Sequence, residues 1–229
     1  LSCFSEITGH WEFNGTLNAT IGQNLEWAWE KGDASFDTTD TFGISDINGK
    51  PANVLKFPDS DDLSDFAGIE VAHGAELDED SWLLHEYTII LDLLYPEDST
   101  GSIRALVSNE YLGQAKIKIN ESDKVGGASF HGKISANTWH RVAIVVSHSN
   151  KTITYYIDGA KVGEEPIGGL VDGQGKHSLE DYFYLFTTNG LSKEGYINSL
   201  QFNNMALPED RKSTRLNSSH ALISYAVFC

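Results

Sequence analysis

The chain has 229 residues, of which 33 are acidic and 16 are basic, so its formal charge is −17 at neutral pH. A surface this acidic repels nucleic acid and anionic membranes and attracts cations. No apolar run approaches the roughly 20 residues that a membrane-spanning helix needs. We therefore expect neither a nucleic-acid partner nor membrane insertion, and the length suits one all-β domain with an ample core.

The N-terminal half alternates short apolar runs with polar stretches. Residues 9–13 (GHWEF) and Asn53–Phe57 (NVLKF) have the alternation of β-strands, and Pro58 stops the second one. Residues 25–29 are short and aromatic, residues 31–50 are predicted to be loops, and residues 68–72 are predicted to be another strand. Short strands separated by polar turns favour an all-β fold.

The strongest strand of this half is residues 86–96 (EYTIILDLLYP). It is apolar on most of both faces, which is typical of a central strand with neighbours on each side. Residues 103–108 and 115–119 are predicted to be the next two strands, with Lys116 and Lys118 on the outer face of the second.

Residues 139–159 (WHRVAIVVSHSNKTITYYIDG) have the clearest pattern in the chain. Two alternating apolar runs flank a polar reversal at Ser149 and Asn150, as in an antiparallel hairpin with one buried face. The buried face is predicted to comprise His140, Val142, Ile144, Val146, Ile153, Tyr155 and Ile157. Asp158 and Gly159 tolerate positive φ, so a third strand near Lys161 can fold back directly.

Residues 181–187 and 195–202 complete the predicted strands. The sequence has no helical periodicity of useful length, and Gly, Asp and Asn turns separate its strands. These features predict a two-sheet antiparallel sandwich.

Residues 210–229 (DRKSTRLNSSHALISYAVFC) differ from the rest of the chain in charge, composition and pattern. They resemble the translation of a sequencing adapter on both sides of a two-codon index, Ala221 and Leu222. We therefore predict a domain at residues 1–209, cut short at its C-terminus, and exclude the tail from fold reasoning. Without Cys229, Cys3 has no partner to suggest a disulfide, and the remaining chain is still more acidic.

The ordered segments GHWEF, EYTIILDLLYP, NTWHRVAIVVSHSNKTITYYIDGAKV and GYINSLQFNNMALPED resemble a laminin-G-like domain of the concanavalin A-like lectin/glucanase superfamily. The resemblance spans about residues 9–209 and includes a W-H-x-V strand, a Y-x-D-G turn and a closing A-L-x-x-D/E pattern. It implies an all-β jelly roll of two curved antiparallel sheets. It also implies a recognition module for glycan or extracellular protein, in a larger secreted or cell-surface protein with neighbouring domains and sometimes calcium. Any secretion signal is expected upstream of Leu1.

Laminarinase-type hydrolases of this superfamily carry catalytic carboxylates on alternate residues of one strand. Glu76, Asp78 and Asp80 have that spacing. However, Asp80 stands where those enzymes carry Glu, and the segment between Gly74 and Ser81 has few strand formers. We therefore predict a solvated acidic loop and no catalytic residues, with a glycoside hydrolase that uses Glu76 and Asp78 as the alternative.

Exposed aromatic rings are the side chains on which sugars stack. Trp27, Trp29 and Trp82 lie in or beside loops, whereas Trp11 and Trp139 lie on strands that the resembled family packs into the sandwich. Trp82 is our candidate ligand-binding residue, and the alternative for such a ring is a partly buried core position. A purely structural spacer is the third function that stays open.

The acid-rich loop after residue 58 is the candidate calcium site. Asp59, Asp61 and Asp62 place three carboxylates within four residues, and calcium binds several oxygen ligands at once. The loop is not an EF-hand, because Leu63 and Ser64 stand where that motif has an acidic or amide residue and a glycine. The alternative is a solvated loop that binds nothing specifically.

Overall fold

The computed structural model describes residues 7–28, 30–59, 68–108, 117–167, 177–187 and 191–207, which form two antiparallel β-sheets. A four-residue helix, Thr39–Phe42 (α1), and a 3₁₀ turn at Glu97–Ser99 complete the regular structure of these residues. The predicted two-sheet all-β sandwich is therefore confirmed. In chain order the strands are Ile7–Trp11 (β1), Glu26–Trp27 (β2), Ser35–Thr38 (β3), Asn53–Phe57 (β4), Ile69–Ala72 (β5), Glu86–Leu94 (β6), Arg104–Ser108 (β7), Ile117–Ile119 (β8), Val125–Gly126 (β9), Phe130–His131 (β10), His140–Ser147 (β11), Thr152–Ile157 (β12), Ala160–Pro166 (β13), Tyr182–Leu185 (β14) and Gly195–Asn203 (β15).

The first sheet has the order β13-β12-β11-β6-β15-β4-β3, and β1 also pairs with β15. One side of β15 lies along β6, whereas its other side is shared by two strands. On that shared side Ile197 faces Leu55 of β4, and Leu200 faces Trp11 of β1. β6 therefore lies in the middle of the sheet, as its apolar character on both faces predicts.

The predicted hairpin consists of β11 and β12, which reverse at residues 148–151. Ile144 faces Tyr155 across the hairpin and Ile89 across the pairing with β6, and all three side chains are buried in the main core. Asp158 and Gly159 have φ values of 52° and 82°, and β13 begins at the next residue. Alternation and turn chemistry thus predict these three neighbouring strands correctly, but the expectation of a single buried face is wrong, because Ala143, Val145 and Tyr156 on the opposite face are buried as well.

The second sheet has the order β10-β9-β8-β7-β14-β5-β2 and lies across the core from the first. Val71 and Phe183 from this sheet pack in one apolar cluster with Leu91 from the first sheet. Burial of this apolar surface is the main force that holds the two sheets together. Trp11 belongs to the cluster, as predicted, and its indole N–H donates to the backbone oxygen of Gln23 at 2.8 Å.

Trp139 is buried but lies outside the space between the sheets, which corrects its predicted place in the sandwich. It precedes β11 and packs with Val54, Leu94 and Tyr196 in a separate cluster on the outer face of the first sheet. Its indole N–H donates to the backbone oxygen of Ser45 at 2.7 Å, which holds the ring under residues 42–52. Strand alternation agrees with this position, because residue 139 lies on the face opposite to the core-facing residues of β11, and the hydrogen bond to Ser45 fixes the ring there.

The closing segment at residues 205–207 covers another part of the same outer face. Leu207 is buried there with Ile90 and Tyr156. Thr88 Oγ1 accepts a hydrogen bond from the Leu207 backbone N–H and donates one to the Met205 carbonyl oxygen, both at 2.9 Å. The rest of the closing pattern and the adapter-like residues 210–229 lie outside the described residues.

Residues 31–50, predicted to be loops, contain β3 and α1. Phe36 of β3 faces Leu55 of β4 and packs against the main core, so a long-range pairing creates a strand that the polar local sequence does not indicate. Gly43 follows α1 at a φ of 67°, a left-handed conformation that commonly ends a helix. In the described part of the chain no helix is long and apolar enough to cross a membrane.

Several predicted strands differ from the observed ones at their ends. β1 stops at Trp11 rather than at Phe13, whose φ of 49° is incompatible with a strand. β2 is two residues long, and Trp29 lies outside the described residues. Lys118 of β8 lies over the Phe130 ring, 5.8 Å from its centroid, whereas Lys116 is also outside the described residues.

Candidate functional site

The loop between β5 and β6, residues 73–85, carries Trp82, the predicted ligand-binding residue. Trp82 is 74% exposed, and the other exposed large apolar side chain among the described residues is Ile21 at 38%. Trp82 has a φ of 55°, a left-handed conformation that costs a bulky residue about 1–2 kcal/mol. The combination of an exposed indole and an unfavourable backbone conformation makes Trp82 a candidate for a functional position.

A tight turn holds Trp82 in place. The Trp82 backbone N–H donates to the Asp78 carbonyl oxygen at 2.9 Å, and the Asp78 N–H donates to the Leu83 carbonyl oxygen at 3.0 Å. Asp78 Oδ1 accepts three further bonds, from the backbone N–H groups of Asp80 and Ser81 and from the Ser81 hydroxyl. These hydrogen bonds fix the backbone of residues 78–83, from which the exposed indole extends.

His85 connects this turn to the neighbouring segment at residues 177–179. Because the Ser81 hydroxyl donates to Asp78, its oxygen accepts from His85 Nε2, 2.9 Å away. His85 Nδ1 then accepts from the hydroxyl of Ser178 at 2.8 Å. Backbone hydrogen bonds between residues 84 and 179, at 2.7 and 3.0 Å, add to this connection.

His73 holds the start of the loop against residues 180–181. Its Nδ1 accepts the Ala75 backbone N–H at 3.1 Å, so Nε2 carries the proton that is donated to the Glu180 carbonyl oxygen at 2.5 Å. Burial lowers the pKa of His73, which keeps the imidazole neutral in this arrangement. The loop is thus fixed at both ends against the segment that leads into β14.

Two depressions flank Trp82, and together we call them the Trp82 groove. The larger has a volume of about 820 Å³ and lies along residues 74–79, and the smaller, of about 350 Å³, lies along residues 180–182. Trp82 and Asp181 border both. The carboxylates that line the groove are Glu76, Asp78, Glu79, Glu180 and Asp181.

Glu76 and Asp78, the residues of the hydrolase alternative, both line the Trp82 groove. They are exposed and lie in a loop, so the alternating positions on one strand that laminarinase-type catalysis uses are not formed here. The hydroxyl and backbone N–H of Ser81 lower the pKa of Asp78. Asp78 is therefore an anion that accepts hydrogen bonds at neutral pH.

The candidate calcium site is described only in part. Asp59 lies beside Lys193, whose Nζ is 3.1 Å from Asp59 Oδ1 and 3.2 Å from Oδ2. Asp61 and Asp62 lie outside the described residues. Within the described ranges no group of three or more His, Cys, Asp or Glu side chains has an arrangement that could hold a metal ion.

No protein-family model matches the chain, and no curated protein matches it either. Among solved structures, it is similar to domain 4 of AbnA, a GH43 extracellular arabinanase from Geobacillus stearothermophilus in complex with arabinotriose. The two are 16% identical with a TM-score of 0.59, and the alignment covers 91% of this chain and 97% of that domain.

Two larger proteins contain a similar region. The botulinum neurotoxin type G receptor binding domain is 12% identical with a TM-score of 0.58, and Trypanosoma rangeli sialidase in complex with 2,3-difluorosialic acid is 14% identical with a TM-score of 0.56. Each alignment covers 91% of this chain, but only 50% of the toxin domain and 32% of the sialidase chain. At these identities the similarity supports the jelly-roll sandwich fold, while the laminin-G-like resemblance stays a prediction.

Proposed function

We propose that this domain is a non-catalytic recognition module that binds glycan in the Trp82 groove. The observation that carries the proposal is the indole of Trp82, 74% exposed between two depressions. Ligand sites combine an aromatic or apolar surface with a few well-placed polar groups. The groove has that composition, because carboxylates that can accept sugar hydroxyls surround the ring.

The turn geometry also favours this function. A ring that must stack on a sugar loses less conformational entropy when its backbone is already fixed. Hydrogen bonds that Asp78 accepts from Ser81 and Trp82, and the bond between Ser81 and His85, fix the backbone of Trp82 before any ligand arrives. The fold agrees with such a role, since the similar arabinanase domain was solved with arabinotriose and the toxin domain is named for receptor binding.

The test is a glycan array followed by calorimetry on the full chain and on Trp82→Ala. We expect Trp82→Ala to weaken glycan binding by roughly thirtyfold, the loss of about 2 kcal/mol that is common for a central aromatic residue. Trp82→Phe should retain part of the affinity, because it keeps a ring. Phe130→Ala, which removes a half-buried ring from β10 in the second sheet, is the matched control and should bind like the wild type.

Equal glycan binding by the wild type and Trp82→Ala would show that the Trp82 groove is not the binding site. Absence of any glycan on the array, together with capture of a protein ligand that Trp82→Ala loses, would assign the groove to protein recognition. If the chain binds neither glycan nor protein, the remaining function is that of a structural spacer.

The non-catalytic part of the proposal has its own assay. Glu76 and Asp78 lie in an exposed loop, and the lowered pKa of Asp78 makes it a poor proton donor. We expect the purified chain to release no reducing sugar from β-glucan. Release that either Glu76→Gln or Asp78→Asn abolishes would establish the laminarinase-type alternative.

We also propose that the domain belongs to a larger extracellular or surface protein. The similar arabinanase is itself described as extracellular, and the alignment to it covers a single domain of that enzyme. Sequencing the gene on both sides of the region that encodes this chain tests the proposal. A secretion signal upstream and a further domain in the same reading frame are the expected findings.

A further inference from the structure

The Trp82 groove has an unbalanced charge. Five carboxylates line it, three from the loop between β5 and β6 and two from the segment before β14, namely Glu76, Asp78, Glu79, Glu180 and Asp181. None of the described residues that line it is Lys, Arg or His. Negative charge therefore faces the indole from both sides.

Some carboxylates elsewhere in the molecule have a cation close by. Lys56 Nζ lies 2.8 Å from Glu194, and Lys161 Nζ lies 2.8 Å from Glu164. No ion pair within the described residues involves a carboxylate of the groove. The groove is thus a place where a ligand can supply the missing positive charge.

The chemistry of these side chains restricts the ligand. Ionised carboxylates accept hydrogen bonds and cannot donate them, so the ligand must provide the donors. Anionic sugars bring further negative charge and are repelled, whereas an ammonium group brings three donors and a compensating charge. An indole face adds to the attraction, because cations bind favourably over Trp rings.

On the basis of the proposed glycan-binding function, we infer that the Trp82 groove selects saccharides with free amino groups. The sugar ring stacks on Trp82, and its ammonium groups lie among the carboxylates of the two walls. Neutral saccharides offer only hydroxyl donors and no compensating charge, so they bind more weakly. Uronic, sialylated and sulfated saccharides are excluded by charge.

The test compares three ligands of equal length by calorimetry on the full chain. These are a glucosamine oligosaccharide with free amines, its fully N-acetylated form, and an oligosaccharide of uronic acid. We expect the free amine to bind about tenfold more tightly than the N-acetylated form, as two or three exposed charge pairs together would give. The difference should shrink at high salt, and the uronate should not bind.

Variants that remove charge test whether the groove carboxylates cause the preference for free amino groups. Glu76→Gln combined with Glu79→Gln should remove most of the tenfold difference, because the amide oxygens can still accept sugar hydroxyls but carry no charge. Glu97→Gln combined with Asp98→Asn removes the same charge from the exposed 3₁₀ turn and should keep the difference. Trp82→Ala should weaken binding of both forms.

The outcomes separate this inference from the proposed function. Equal affinity for the free and N-acetylated forms, lost in Trp82→Ala, would keep glycan binding and overturn the amine preference. Binding of oligolysine as tight as that of the glucosamine oligomer would show recognition of charge alone and overturn the saccharide class. Amine binding that Trp82→Ala does not weaken would contradict both proposals.

Discussion

Two groups of carboxylates in this molecule have opposite surroundings. Asp92 and Glu165 belong to the first sheet and are 3% and 2% exposed. Arg141 Nε donates to Asp92 at 2.6 Å, and the Ser199 hydroxyl donates to it at 2.7 Å. Each buried charge is thus surrounded by donors, as the cost of taking an ion out of water requires.

Glu165 has the more complete set of partners. The backbone N–H groups of Gly127, Ala128 and Ser129 donate to its two carboxylate oxygens at 2.8–2.9 Å, and the Tyr155 hydroxyl donates as well. Burial alone would raise the pKa of Glu165, but these bonds outweigh it and hold the pKa below its ordinary value. This carboxylate connects β13 to the loop after β9.

The carboxylates of the Trp82 groove differ from Asp92 and Glu165 in both burial and hydrogen-bond partners. Glu76, Asp78, Glu79 and Glu180 are exposed, and their solvated charges need no partner for the fold to form. Among the hydrogen bonds between described residues, those of this group involve only Asp78, and its donors come from its own turn. A buried carboxylate whose hydrogen-bond donors all come from the protein therefore has a structural role. An exposed carboxylate beside the exposed ring of Trp82 is accessible to a ligand.

The largest expected effect tests the structural half of this comparison. Glu165→Ala leaves three backbone N–H groups and a buried hydroxyl without their acceptor, so we expect a loss of about 3–5 kcal/mol in the free energy of unfolding. Glu164→Ala, at the exposed neighbouring position, should change it by less than about 0.5 kcal/mol. Urea denaturation of the two variants measures both values, and equal losses would contradict the structural role of Glu165.

The calcium hypothesis for Asp59, Asp61 and Asp62 has the next largest expected effect. Calcium at about a hundredfold excess over its Kd would stabilise the fold by about 2.7 kcal/mol. It would have to displace Lys193 Nζ from Asp59, so Lys193→Met should strengthen binding. Thermal melts with and without calcium test the site in the wild type and Asp61→Asn. No shift in the wild type, or equal shifts in both proteins, would exclude it.

A third prediction concerns the ring that the groove carboxylates surround. At a φ of 55° glycine avoids the steric cost that any Cβ incurs, so Trp82→Gly should be more stable than Trp82→Ala by about 1 kcal/mol. Both variants should bind glycan equally poorly, because both lack the ring. Thermal melts beside the binding assay give the comparison. A glycine variant less stable than the alanine variant would show that the backbone at position 82 is not strained.

The strands could be predicted from sequence where the local pattern and the tertiary environment agree. In residues 139–159 the alternation, the reversal and the Asp158-Gly159 turn all specify the same three strands. β3 could not be predicted, because Phe36 forms a strand only by pairing with Leu55. The hydrogen bond of Trp139 with Ser45, 94 residues away in sequence, could not be predicted from the local pattern either.

The candidate site was predictable on one wall only. Trp82 can be selected as an aromatic ring in or beside a loop, and Glu76 and Asp78 can be singled out by the alternate spacing of the hydrolase alternative. The opposite wall, Glu180 and Asp181, is brought there by contacts such as that of His73 with residue 180, which spans 107 residues of sequence. A single sequence contains no local pattern that reports such a contact.

The smallest expected effect is a difference in Tm between variants of two neighbouring carboxylates of the Trp82 groove. Asp78→Ala should lower the Tm slightly, because the donors of Asp80 and Ser81 lose their common acceptor. Glu79→Ala should leave the Tm unchanged, since Glu79 is exposed and supports no turn. Melting curves of both variants and the wild type at neutral pH measure the difference.

The pH dependence of that difference identifies its cause. The Ser81 hydroxyl and N–H hold the pKa of Asp78 below its ordinary value in the folded state. A lowered folded-state pKa means that the stabilisation is fully present above the unfolded-state pKa and is lost as the pH falls through the folded-state pKa. The Tm difference between Asp78→Ala and the wild type should therefore shrink in acid, while Glu79→Ala should follow the wild type throughout. A difference that stays constant down to strongly acidic pH would show that the Asp78 charge does not stabilise the turn that presents Trp82.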